Sequence, residues 1–172
     1  KVKDSFRKFY ANYGLFDVIE PVSEKIRPNQ VIAIGLEFSP VDENKAKETE
    51  NEFNNTNLLI IKCDVSNEEE VTEMFKKTNE KFGKIDYLVN NAGTFIDNFI
   101  KDFDIEEFKK VLDINLLGKV ICTKHAYDNM NDNGAIVNIS SHLGVVPCTE
   151  SPAYCAAAAA IINFTKATAL EY

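Results

Sequence analysis

At 172 residues, with 45% hydrophobic and 27% charged side chains, the chain has the size and make-up of one globular domain, residues 1–172, built on a single core. A net charge of −8 argues against a nucleic-acid or anionic-membrane surface, which would need clustered Lys and Arg. No continuous apolar stretch reaches the length of a membrane span or signal core. Cys63, Cys122, Cys148 and Cys155 match no zinc-ligand spacing, so no metal is expected, and reduced thiols in a cytoplasmic protein fit best.

In chain order, Val31-Ile32-Ala33-Ile34 reads as a buried strand, and Asp42 to Phe53, rich in helix formers, as a helix. Leu58-Leu59-Ile60-Ile61 reads as a second buried strand. Ser66 to Phe82 reads as a helix, with Ser66 as the N-cap, Glu69 completing a capping box, and Gly83 closing the end. Tyr87-Leu88-Val89 is a third strand. One or two helical segments are expected between Ile105 and Met130, because Phe108, Val111, Leu112, Ile114 and Leu117 share an apolar side. A strand over Gly134–Ile139 and a helix from Ala153 to about Glu171 complete the series. Apolar strands alternating with helices imply a parallel sheet covered on both faces.

In such sheets ligands bind at the carboxyl ends of the strands. The polar clusters fall there: Asp64-Val65 after the second strand, Asn90-Asn91-Ala92-Gly93 after the third, Ser140-Ser141 after the fourth. Gly93 lets the backbone pass close to a flat ligand.

These clusters, with Tyr154 thirteen residues after Ser141, resemble the short-chain dehydrogenase/reductase family of the classical type. The likeness covers residues 29–172 well and 1–28 poorly. It implies a Rossmann-like, doubly wound α/β fold and a hydride exchange between NAD or NADP and a secondary alcohol or ketone, steroid-like or small and cyclic. By resemblance, Tyr154 is the acid/base, Ser141 polarises the reacting oxygen, and Asn115 holds a water. Asp64 and Val65 meet the adenine, and Asn91, Ala92 and Gly93 border the cofactor. Gly35 stands where the ribose-binding acid is expected, but Glu37 could serve in its place, and with no Arg after it NAD is preferred over NADP. Members of the family are commonly homodimers or homotetramers.

Three departures run against that resemblance. In the stretch from Phe9 to Phe16 only Gly14, followed by Leu15, matches the family's glycine-rich phosphate loop; Tyr10 and Phe16 stand where the first and last glycines belong. Ala158 occupies the position of the catalytic lysine. A tyrosine without a neighbouring cation titrates near 10, leaving about one part in a thousand as phenolate at pH 7. The family's last strands and substrate-covering loop have no counterpart, so the sheet is expected to be incomplete at the C-terminus. The alternative expectation is therefore a catalytically impaired or non-catalytic nucleotide-binding homologue.

Overall fold

The computed structural model describes residues 59–171. The readings placed on Gly14, Leu15, Glu37, Val31–Ile34 and Asp42–Phe53 lie outside the described residues. Within them the order is helix α1 (Glu68–Phe82), strand β1 (Ile85–Asn90), helix α2 (Ile105–Leu112), a π-helical turn (Asp113–Leu117), helix α3 (Gly118–Asn129), strand β2 (Met130–Asn138) and helix α4 (Pro152–Thr168). Short 3₁₀ turns lie at Ile100–Asp102 and His142–Gly144.

β1 and β2 pair in parallel, as their apolar sequences predict. From Ile85↔Met130 to Tyr87↔Ala135 the register advances two residues on β1 and five on β2. Asn131 to Gly134 thus stand against Asp86 alone, three residues in excess, with Asn133 at φ 65°. Asparagine tolerates that left-handed conformation better than most residues. Gly134 is needed for a different reason: a Cβ there would meet the Asp86 carbonyl oxygen at 2.7 Å. Regular pairing then runs to Asn90↔Asn138, and the Ile139 N–H extends it by donating to Asn90 O at 3.0 Å.

Leu59 to Ile61 pair with none of the described residues; Leu58 and Val31–Ile34 lie outside them. Ile61 packs on the core, next to the buried Cys63. One expectation is corrected. The cap of α1 is Asn67, not Ser66: the Asn67 side chain accepts from the Glu69 and Glu70 N–H groups. The shorter Ser66 side chain is drawn back to Asp64, donating to its Oδ1 at 2.7 Å.

The main core gathers Val65, Val71, Met74, Phe75, Leu88, Ile114, Ile121 and Cys122 between the helices and one face of the strands. Gly118 sets how near α3 comes, since a Cβ would meet Val65 Cγ2 at 2.6 Å. A smaller cluster of Phe103, Val111 and Ala153 ties α2 to the start of α4, with Tyr154 packed against it. Among the described residues no helix is long and apolar enough to cross a membrane.

Candidate active site

The ends of β1 and β2 and the first turns of α4 enclose a cleft of about 260 Å³. Asn91, Gly93, Asn115, Ser140, Tyr154 and Ala158 all line it. Residues spread over nearly seventy positions of sequence thus meet because parallel strands deliver their carboxyl ends to one edge.

Asn115 is 6% exposed and lies in the π-helical turn between α2 and α3. Its Oδ1 accepts from the Thr94 N–H at 2.9 Å, and its Nδ2 donates to Thr94 O at 2.7 Å. A π turn widens the helix locally and is common at functional sites. The sequence suggested a helical asparagine with a special role; the wider turn was not visible in it. A Cβ on Gly93 would meet Asn115 Oδ1 at 2.6 Å, so the glycine is required by the asparagine it adjoins.

Asn90 braces the same edge from below. Its Nδ2 donates to Thr123 Oγ1 at 3.1 Å and to Asn138 Oδ1 at 2.8 Å. Asn138 in turn donates to Thr165 Oγ1 on α4 at 3.0 Å. This chain of polar side chains links α3, both strands and α4, and buried groups satisfied in this way hold a unique arrangement.

The two serines differ in what they have left to give. Ser140 lines the cleft, but its hydroxyl donates to the Ala158 carbonyl at 2.8 Å. Ser141 is half-buried next to it and caps the 142–144 turn; its Oγ accepts from the Leu143 N–H at 3.2 Å. An accepting hydroxyl keeps its own proton free to donate. Tyr154 lines the cleft beside the edge of the Phe95 ring, whose centroid is 5.1 Å away.

Asp64 and Val65 sit farther along the edge. Asp64 Oδ1 accepts from both the N–H and the hydroxyl of Ser66, and Asp64 N donates to Glu70 Oε2. The Val65 side chain is in the core, beneath Gly118. Val65, Asn91, Ala92 and Lys119 share the lining of a second, water-sized hollow.

Lys119 is the residue that the sequence reading missed. It is 5% exposed and the only buried charged residue among the described residues. Its Nζ donates to Ala92 O at 2.7 Å and to Asn90 O at 3.2 Å, and the residue lines the cleft that holds Tyr154. Burial pushes its pKa down from 10.5 to about 8. The available signal was a lysine four residues after Asn115, set into the apolar run of Leu116, Leu117, Val120 and Ile121.

A parallel α/β edge with polar residues gathered at the ends of its strands is the architecture of a dinucleotide-binding fold. A sequence model of the short chain dehydrogenase family matches residues 29–172, and the chain belongs to that family. It is similar to the 3-oxoacyl-[acyl-carrier-protein] reductase of Synechocystis sp., with 37% identity over 69% of this chain and 49% of the relative. Cis-4-hydroxycyclohexanecarboxylate dehydrogenase of Sinomonas cyclohexanicum is 36% identical over 66% of this chain and 47% of its own length. Human 15-hydroxyprostaglandin dehydrogenase [NAD(+)] is 34% identical over 69% and 44%. The chain thus spans about half the length of these curated relatives. The fold is also that of a Serratia marcescens short-chain dehydrogenase/reductase, with a TM-score of 0.72 at 23% identity, covering 82% of this chain and 56% of that one.

Proposed function

We propose that this cleft carries out hydride exchange between a nicotinamide dinucleotide and a secondary alcohol or its ketone. The observation that carries the reading is the convergence of Tyr154, Asn115 and Ser140 on one cleft, with Ser141 next to Ser140 in the chain though not itself in the lining. Binding sites for drug-sized ligands run from about 300 Å³ upward, so a cleft of about 260 Å³ suits the nicotinamide half of the cofactor. Asn91 and Gly93 would border that half, with Lys119 at its side. When bound, the nicotinamide supplies or accepts the hydride.

The chain's own residues handle the proton. The Tyr154 hydroxyl gives a proton to the developing alkoxide, or takes one from the alcohol in the reverse direction. The free Ser141 hydroxyl proton polarises the same oxygen. Asn115, fixed by Thr94, holds the strand-end loop that faces both. Lys119, whose ammonium is held by the Asn90 and Ala92 carbonyls, is the one cation among the described residues that line this cleft. Glu37 favours NAD over NADP, since a carboxylate repels a ribose 2′-phosphate. A cyclic alcohol is the substrate class we favour, in line with the name of the Sinomonas relative.

The second reading is a nucleotide-binding homologue without turnover, and Ala158 favours it, because a methyl cannot activate a phenol. The test follows nicotinamide absorbance with a cyclic secondary alcohol in wild type and Tyr154→Phe. Turnover that falls by about 10²–10⁴ in the variant supports the first reading. Nucleotide binding with no turnover supports the second.

A further inference from the structure

Cys148 and Cys155 lie with their sulfurs 3.8 Å apart. One is exposed in the loop before α4; the other is half-buried in the first turn of α4, next to Tyr154. We propose that these two thiols form an oxidisable pair, closed to an intramolecular disulfide by an oxidant of the peroxide class, and that closing it fastens the 148–151 loop to the helix that carries Tyr154.

The surroundings hold the pair in place. The Cys155 N–H donates to Ser151 O at 2.9 Å, starting the helix. Glu150 O accepts from the Asn98 N–H at 2.7 Å, and the Ser151 hydroxyl donates to Asp97 Oδ1 at 3.3 Å. The loop is thus anchored at Glu150 and Ser151, and the sulfurs have to close from 3.8 Å to a bond of about 2.05 Å.

Reactivity should be selective. A backbone N–H from Glu150 stabilises the Cys148 thiolate, with help from Cys155 and Ser151, and holds its pKa below the ordinary thiol value. Burial pushes Cys63 up to about 11 and Cys122 up to about 12, which keeps both as unreactive thiols.

The step balances as follows. The Cys148 thiolate attacks one peroxide oxygen, the O–O bond breaks, and the departing hydroxide takes up a proton to leave as water, with Cys148 now a sulfenic acid. The Cys155 sulfur then attacks the Cys148 sulfur. The S–O bond breaks, and the second hydroxide takes the Cys155 proton and leaves as water. Two thiols are oxidised by two electrons, and the peroxide is reduced to two waters.

The test treats the reduced full chain with hydrogen peroxide, alkylates the remaining thiols after denaturation, and maps the peptides. The expected product is one intramolecular Cys148–Cys155 link, an intact mass lower by two hydrogens, alkylated Cys63 and Cys122, and full reversal by dithiothreitol. In Cys155→Ser the reaction should stop at a Cys148 sulfenic acid that a cyclic 1,3-diketone traps. The proposal is overturned if Cys148 and Cys155 both remain alkylatable, or if the link joins other cysteines or two chains. Because the readout is covalent, it does not depend on turnover.

Discussion

The Asn115 carboxamide forms a closed ring with the Thr94 peptide, accepting at 2.9 Å and donating at 2.7 Å. This ring joins the π-helical turn to the loop that follows β1 and gives the cleft its fixed wall. Gly93→Ala would put a methyl 2.6 Å from Asn115 Oδ1. To make room, both hydrogen bonds must break, and each buried group left unpaired costs about 1–3 kcal/mol. A drop in unfolding free energy of about that size, read by denaturant titration, is expected. A Gly93→Ala variant as stable as wild type would show that the ring carries no load.

Much of this arrangement could be read from the sequence, because strand ends and apolar runs are local signals. The parallel pairing of β1 and β2 and the place of Asn91 and Gly93 at a strand end follow from apolar strands separated by helices, whereas Asn115 and Tyr154 are legible only through the family resemblance. What could not be read depends on contacts distant in sequence. Ser66 and Asn67 are both good caps on propensity, and only the pull of Asp64 on Ser66 decides between them. The π turn at Asn115 needs the Thr94 backbone as its partner. Lys119 reads as a surface charge until the end of β1 is laid against it.

Asn67→Ala should therefore destabilise by about 1 kcal/mol, the usual value of an N-cap side chain. Ser66→Ala should leave the α1 cap intact. Thermal melts of the two variants distinguish the assignments, and equal losses would contradict the Asn67 cap.

The buried Lys119 makes a specific pH prediction. Its folded pKa, about 8, lies below the ordinary 10.5, so below pH 8 both folded and unfolded chains carry the charge and the fold bears the full desolvation cost. Between pH 8 and 10.5 the unfolded chain holds the proton and the folded one releases it, so this group's contribution rises with pH. Cys63 and Cys122 act oppositely. Their folded values lie above the ordinary 9.0, so the stability they contribute below pH 9 is lost as pH rises. Comparing wild type with Lys119→Met removes the Cys63 contribution, which both share; that of Cys122 is shared apart from its electrostatic coupling to Lys119. Relative to the variant, wild type should gain stability from pH 8 to 10.5; a constant difference would contradict a depressed Lys119.

Ala158 is 6% exposed on the cleft wall, one helical turn from Tyr154. Ala158→Lys places an ammonium beside the phenol, where an opposite charge favours the phenolate. Turnover at pH 7 should rise by at least about tenfold. Unchanged turnover in a folded variant would mean that a charge at position 158 does not act through Tyr154.

The most direct test of the central claim is label transfer. The protein is incubated with an oxidised nicotinamide dinucleotide and a cyclic secondary alcohol deuterated at the carbinol carbon, and the nicotinamide ring is examined by mass spectrometry. Hydride exchange in this cleft predicts deuterium on the ring with wild type and with Ala158→Lys, and about 10²–10⁴-fold less of it with Tyr154→Phe. Failure of label transfer in Ala158→Lys, while that variant binds the dinucleotide, would contradict it.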